Sequence, residues 1–215
     1  MKPQPFLILL ILVGCAKDPN GTPDTKSFKD SRDSHTYKYV KIGTQTWMAE
    51  NLAYLPGVSP SSEGSESSAF YYVYGYEGTS LSTAKANTNC TTYGVLYNWE
   101  AAKIACPSGW HLPTKAEWST LEDYLGALAG KKMKSISGWS ENGNGDNSSG
   151  FNALPGGYRT YDGSFGFLGD YTDFWSSSEF RKSDANDMDL NYNHDDVYLT
   201  YDYRSYGFSV RCLQN

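Results

Sequence analysis

The sequence has few of the residues that build metal and nucleophile sites. It holds three histidines and four cysteines among 215 residues. His35, His111 and His194 lie far apart, which argues against a zinc site. No glycine-rich phosphate or dinucleotide motif occurs, and DGSFG (162–166) lacks the spacing of a G-x-S-x-G nucleophile elbow. We therefore expect a protein that is not an enzyme and has no resident cofactor.

Basic residues are also scarce. Lysine and arginine total 18 against 24 acidic residues, which gives a formal net charge of −6. Nucleic acids and anionic lipid surfaces are bound through clustered positive charge, and the sequence has no basic stripe. The composition therefore excludes nucleic acid as a partner.

The only long apolar run lies at the start of the chain. It covers residues 6–13, whereas a membrane-spanning helix needs about 20 apolar residues. The run ends in Leu-Val-Gly-Cys, the pattern at which bacterial lipoproteins are cleaved and lipidated. We predict a signal peptide at 1–14, and a lipidated Cys15 with a flexible, polar tether at 15–36. The lipid would then attach the protein to a membrane of the bacterial cell envelope, most simply the outer membrane, with the face left open.

Two segments have clear helix signals. Asn98 can cap a helix over about 99–105, and Pro107 ends it. Thr114 and Glu117 have the spacing of a capping box, and Gly126 is a natural stop for that second helix. The rest of the chain has short strand-like stretches separated by Gly- and Asn-rich turns. These features predict an α+β domain with two short helices, short antiparallel strands and long loops.

Five blocks of sequence carry a family resemblance. They are KIGTQTWMAENLAY (41–54), YGVLYNWEAAKIACPSGWHLPTKAEW (93–118), GFNALPGGYR (150–159), FWSSSE (174–179) and YGFSVRC (206–212). In this order they resemble the Fibrobacter succinogenes major paralogous domain, found in secreted or lipid-anchored bacterial surface proteins. The resemblance covers nearly all of the predicted domain, 37–215.

The same blocks are distantly similar to C-type lectin-like domains and to their formylglycine-generating (sulfatase-modifying) branch. That likeness implies a lectin-like fold and a disulfide between Cys106 and Cys212. Cys90 is left over, either as a buried thiol or as a competitor for Cys106. The oxidase branch uses a pair of neighbouring cysteines near the end of the domain, which this chain lacks, so the resemblance does not extend to that activity.

Aromatic residues are abundant, at 15% of the chain. Together with the lipid anchor and the resemblance, they suggest a surface binding or adhesion module for polysaccharide or an envelope protein. The alternatives are a structural envelope protein without a small ligand, and an enzyme acting on glycosides or as an oxidase. The candidate contacts are aromatic residues outside the helical blocks, with packing in the core as the competing interpretation, and Arg159. The aromatic residues are Trp139, Tyr158, Tyr161, Tyr171, Trp175, Tyr198 and Tyr201.

The stretch DANDMDLNYNHDD (184–196) is rich in oxygen ligands. Calcium takes six to eight oxygens, so this stretch is a candidate calcium site, with a solvated acidic loop as the alternative. Its spacing does not match an EF-hand. The candidate ligands are Asp184, Asp187, Asp189, Asn193, Asp195 and Asp196.

Overall fold

A computed structural model describes residues 23–215, so the predicted signal peptide, the lipidated Cys15 and residues 16–22 lie outside the described residues. The described part is an α+β domain with short helices and antiparallel sheets. Within it, no helix is long and apolar enough to cross a membrane. In chain order the strands are β1 (Thr25–Lys29), β2 (Thr36–Ile42), β3 (Gln45–Met48), β4 (Tyr71–Tyr72), β5 (Leu96–Tyr97), β6 (Trp110–His111), β7 (Gly156–Arg159), β8 (Phe165–Leu168), β9 (Tyr171–Arg181), β10 (Asp184–Asn191), β11 (Tyr198–Tyr203) and β12 (Leu213–Gln214).

The strands form four sheets. The largest has the order β1-β2-β3-β12-β6, the next has the order β11-β10-β9, and β4-β5 and β7-β8 are two-stranded. In the largest sheet the last strand of the chain lies between β3 and β6, and it pairs with both through Leu213. The end of the chain is therefore built into the middle of a sheet that begins near the start of the described residues.

The structure corrects the predicted tether. Residues 25–29 lie inside the predicted 15–36 tether, yet they form β1, which pairs with β2 along its whole length. The ring of Phe28 stacks on Trp110 with centroids 4.6 Å apart, and Arg32 donates to the carbonyl of Ala105 at 2.7 Å. Both partners are distant in sequence. Phe28 is the one apolar residue of β1, and its neighbours in the sequence are polar, so the sequence has no local pattern that predicts this strand.

Both predicted helices are confirmed. They are α3 (Trp99–Ala105), capped by Asn98, and α4 (Lys115–Leu125), whose Thr114 and Glu117 form the capping box. Three further helices were missed because each is only one turn or slightly longer, too short to show an apolar period. They are α1 (Leu81–Lys85), α2 (Thr88–Tyr93) and α5 (Ala129–Met133).

Two apolar clusters form the core, and the β9–β11 sheet separates them. One cluster includes Trp99 and Trp175, and the other includes Trp118 and Phe174. Trp175 and Phe174 are neighbours on β9 and point to opposite faces of the sheet, as strand alternation requires. The sheet therefore has apolar residues on both faces, and the polar residues of its central strand β10 are almost all buried.

The disulfide implied by the family resemblance is present. Cys106 is the C-cap of α3, and its sulfur is bonded to that of Cys212, with the Cα atoms 5.9 Å apart. Cys90 is a free, buried thiol. The bond fixes the end of α3 to the residue that precedes β12.

We predict that replacing both Cys106 and Cys212 with alanine lowers the free energy of unfolding by about 2–5 kcal/mol, because the bond closes a loop of 106 residues in the unfolded chain. Urea denaturation of the variant and the wild type would measure this difference. Cys90→Ala, which breaks no crosslink, is the control. Equal stability of the double variant and the wild type would contradict the prediction.

Candidate binding site

Four aspartates are gathered around one face of the β9–β11 sheet. On β10, Asp189 is directly opposite Asp173 of β9, and Asp187 lies two residues earlier on the same face. Directly opposed side chains have Cβ atoms about 4.5–5.5 Å apart. Asp202 of β11 is opposite Ala185, which is also on this face. We call these four residues the acidic recess.

The two inner carboxylates are buried without partners. Asp187 is 1% exposed and Asp173 is 6% exposed. Within residues 23–215, neither oxygen of Asp187 has a hydrogen-bond partner, and the same is true of Oδ2 of Asp173 and Oδ1 of Asp189. A buried carboxylate without hydrogen bonds is costly when it is charged, so these groups favour the protonated form.

Burial raises the pKa of all four carboxyl groups, and repulsion from neighbouring carboxylates raises that of Asp173, Asp187 and Asp202 further. Burial is the larger cause for each one, and it raises the pKa of Asp173 and Asp187 well above the usual range. The pKa of Asp189 and that of Asp202 are raised to about 6. Repulsion adds to this, since each of the six pairs within the recess lies close enough to interact.

The positive charges that oppose this effect are weak. Lys115 lowers the pKa of Asp187, and His194 lowers that of Asp189, but neither outweighs burial. Lys115 and His194 are both exposed to solvent, where screening weakens their pull. The nearby positive charges are therefore too weak to keep the carboxyl groups of the recess ionised.

A continuous row of aromatic rings adjoins the recess. Each ring contacts the next, and successive centroids are 4.9–6.1 Å apart. Tyr161 is 62% exposed, Phe167 47% and Tyr203 45%. We call this row the aromatic belt, and its members in spatial order are Tyr171, Phe167, Tyr158, Tyr206, Tyr161 and Tyr203.

Three tyrosines of the belt lie within electrostatic reach of the recess. Burial raises the pKa of Tyr158, and the charges of Asp173 and Asp202 raise it further. Tyr206 is affected in the same way by Asp202, and Tyr171 by Asp189 and Asp173. The belt and the recess therefore form one surface that combines aromatic faces with carboxylate oxygens.

Trp139 and Trp175, which were candidate sugar contacts, are buried. Trp139 is 5% exposed, and its indole nitrogen donates to Ser135 Oγ at 3.1 Å. Trp175 is fully buried and donates to the carbonyl of Tyr97 at 2.7 Å. Both indoles are part of the core, so the prediction that they contact a ligand is wrong.

Arg159 is also wrongly assigned as a ligand contact. Its side chain is 1% exposed, and its guanidinium donates to backbone carbonyls on separate parts of the chain. The bond from Nε to Ser61 is 2.8 Å long, and that from Nη1 to Ser205 is also 2.8 Å long. Arg159 therefore holds loops together.

The remaining predicted aromatics are accessible. Tyr158 and Tyr171 are half-buried and Tyr161 is exposed, and all three belong to the aromatic belt. Tyr198 and Tyr201 are exposed on β11, where Tyr201 stacks on Phe180 with centroids 3.7 Å apart. This second pair of rings lies outside the belt.

The predicted calcium loop is largely a strand. Residues 184–191 form β10, in which Asp184 points to the face opposite Asp187 and Asp189 and pairs with Arg181. Asn193, Asp195 and Asp196 follow the strand, and Asp195 pairs with Lys134. Aspartate is rare in strands, which is why the sequence suggested a loop. Among the described residues, no three acidic, histidine or cysteine side chains are arranged to hold a metal ion.

Sequence reasoning missed five residues of the surface. The missed residues are Asp173, Asp202, Phe167, Tyr203 and Tyr206. A signal for the aspartates was present in the alternation Asp187-x-Asp189, which is the period of a strand with its carboxylates on one face. Asp173 and Asp202 required knowledge of which strands pair.

We predict that Asp189→Asn and Asp202→Asn each stabilise the protein at pH 7.5 and change little at pH 4. A carboxyl group whose pKa is higher in the folded state contributes stability at pH values below its ordinary pKa of 3.8. This contribution is lost as the pH rises through its folded-state pKa of about 6, whereas asparagine carries no charge at either pH. Because both groups are partly exposed, the gain is about 1–2 kcal/mol.

Urea denaturation of variant and wild type at both pH values would measure the difference. Subtracting the wild-type free energy of unfolding from that of the variant at each pH removes the contribution of the other titrating groups. The exposed Asp123→Asn variant is the matched control. A loss of stability at pH 7.5 in either recess variant would contradict the prediction.

Comparison with known proteins identifies a family. The profile of the Fibrobacter succinogenes major domain matches residues 40–214. No curated protein and no solved structure matches the chain. The match covers most of the chain and agrees with the resemblance seen in its five sequence blocks, so this protein belongs to the Fibrobacter succinogenes major domain family.

Proposed function

We propose that this domain is a non-catalytic binding module that contacts polysaccharide through the aromatic belt. The observation that carries this proposal is the row of six rings in mutual contact beside four carboxylates. Aromatic faces stack on the apolar faces of sugar rings, and carboxylate oxygens accept hydrogen bonds from sugar hydroxyls. A surface with both features suits a polyhydroxylated ligand.

The proposal includes a location and a fold. We propose that the protein is a lipoprotein anchored through Cys15 to a membrane of the bacterial cell envelope, most simply the outer membrane, where it acts in adhesion. The Leu-Val-Gly-Cys pattern supports this. A C-type lectin-like fold is supported by the bond from the end of α3 to the residue before the last strand.

An envelope protein is the alternative partner. Exposed aromatic surface on a monomer is also typical of protein–protein contacts. The two kinds of partner can be distinguished experimentally. A protein partner is expected to bind the aromatic belt when no glycan is present, so a belt variant would lose binding to that protein.

We predict that Tyr161→Ala together with Tyr203→Ala reduces retention of the protein on its polysaccharide by about thirtyfold, since each lost ring contact is worth about 1 kcal/mol and about 1.4 kcal/mol corresponds to a factor of ten. Depletion of the full-length chain by insoluble cellulose and xylan, with a glycan array, would measure this.

Tyr124→Ala is the control, because Tyr124 is 50% exposed on α4 and outside the belt. Melting temperatures equal to that of the wild type would show that the variants are folded. Retention by the belt variant equal to that of the wild type would contradict the belt as the contact surface. No retention of the wild type on any glycan would favour a protein partner.

Glycoside hydrolysis is a second candidate function. It is favoured by the raised pKa of the recess carboxylates, since a glycosidase needs one protonated carboxyl group as its acid and a second, charged one nearby. The assay is release of reducing ends from polysaccharides that the protein retains. If the wild type releases reducing ends and the Asp189→Asn variant does not, the protein is an enzyme and the proposal of a non-catalytic binding module is wrong.

A further inference from the structure

The buried positive charges of this protein are paired with backbone carbonyls. Arg211 is fully buried and donates to the carbonyls of Met48, Phe151 and Asn152, and to the side chain of Asn51. Lys134 is 1% exposed and donates to two carbonyls, with Asp195 further away at 3.6 Å. Arg159 is satisfied in the same way. None of these cations is directed at the acidic recess.

The recess is therefore a set of buried carboxyl groups that no buried cation of residues 23–215 is paired with. Asp187 is almost fully buried, and neither of its oxygens has a hydrogen-bond partner in the part of the chain that the structure describes. Asp189 and Asp202 are half-buried, so they connect the two inner carboxylates to the surface. A ligand that entered from the surface would meet these outer carboxylates first.

The surroundings favour an organic cation over a metal ion. The described acidic, histidine and cysteine side chains are not arranged to hold a metal, and calcium needs six to eight oxygens around one point. The recess is bordered instead by the tyrosines Tyr158, Tyr171 and Tyr206. Aromatic rings and carboxylates together are the usual environment of bound ammonium groups.

We propose that the acidic recess binds the primary ammonium group of an organic ligand, carried either by an amino sugar of a polysaccharide or by a free polyamine. The ammonium group has three N–H donors, and the acceptors without a partner among residues 23–215 are Oδ2 of Asp173, both oxygens of Asp187 and Oδ1 of Asp189. The amino-sugar source rests on the proposed polysaccharide function, whereas the polyamine source does not.

Binding of an ammonium group must expel protons. In the free protein, burial and repulsion favour protonated carboxyl groups, and the groups that face them are Lys115, His194, Tyr158, Tyr171 and Tyr206, with Asp184 near Asp202. A bound positive charge favours the carboxylate form, so each carboxyl group that ionises releases one proton to the solvent. The measured heat of binding would then depend on the buffer that takes up the proton.

The test is isothermal titration calorimetry of the full-length chain at pH 6.5 with three probes. They are a glucosamine tetramer, the N-acetylglucosamine tetramer and spermidine. The two sugars share a backbone and differ in whether the nitrogen is charged. We expect at least one amine to bind, and the heats of binding to differ between MES and bis-Tris buffers, which take up protons with different enthalpies. If the amino sugar is the ligand, the acetylated tetramer should bind about tenfold or more weakly than the glucosamine tetramer.

The test variant is Asp187→Asn with Asp189→Asn, which keeps the shape of the recess and removes two of its charges. Binding of the amine should fall about tenfold or more, while Asp123→Asn, an exposed aspartate on α4, should leave it unchanged. Asparagine relieves repulsion, so the variant is expected to fold, and its melting temperature checks this.

Three results would overturn the proposal. The first is that neither amine binds, and the second is that the double variant and the wild type bind the amine equally. The third is that calcium raises the melting temperature of the wild type but not of the double variant, while the amines leave it unchanged. Spermidine binding with no retention on any glycan would support the recess and contradict only the polysaccharide function. Loss of glycan retention in the belt variant with unchanged spermidine binding would separate the two surfaces.

Discussion

The buried guanidinium of Arg211 holds two segments of this domain together, residues 48–51 and residues 151–152. Its Nε donates to the side-chain oxygen of Asn51 at 2.7 Å, and its two terminal nitrogens reach the carbonyls of Met48, Phe151 and Asn152. A chain with short strands and long loops has many carbonyls that no helix or sheet satisfies, and each one that is buried needs a donor. Arg211 supplies several donors from one residue, next to the disulfide at Cys212.

Arg159 meets the same need in another region. It bonds the carbonyls of Ser61 and Glu63 in a long loop and that of Ser205 near the end of the chain. Burial lowers the pKa of both arginines, that of Arg211 to about 9. At a pKa of about 9, Arg211 stays charged at neutral pH, and the loops it binds remain attached to the core.

Pairing the buried cations with carbonyls has a consequence for the anions. A buried carboxylate is usually stabilised by an arginine, a lysine or several hydrogen bonds. Here the arginines are used elsewhere, and Asp173 and Asp187 are buried on the β9–β11 sheet without such partners among residues 23–215. Because the buried cations are paired with carbonyls elsewhere, the buried carboxyl groups of the recess remain available to a ligand, and this makes the recess a candidate site.

The sequence predicted those parts of the fold whose signals are local. The caps at Asn98 and Thr114 lie next to the helices they begin, and the family resemblance implied the bond between Cys106 and Cys212. Strand β1 could not be foreseen, because the ring that stacks on the half-buried Phe28 belongs to Trp110, far along the chain.

The candidate site was only partly predictable for the same reason. Tyr158, Tyr161 and Tyr171 were found because accessible tyrosine is a general mark of binding surfaces. Trp139 and Trp175 were wrongly included, since a sequence does not distinguish a packed indole from an exposed one. The recess depends on strand pairing, which places Asp173 opposite Asp189, 16 residues further along the chain.

The protonation of the four carboxyl groups is the property on which the recess depends most directly as a binding site. Carbon-13 NMR of the aspartate carboxyl groups, followed as the free protein is titrated, would measure it group by group. We predict midpoints of about 6 for Asp189 and Asp202, and higher midpoints for Asp173 and Asp187. Midpoints at or below 4 for all four groups would show that they are solvated or paired, and would contradict the recess as an unfilled anionic site.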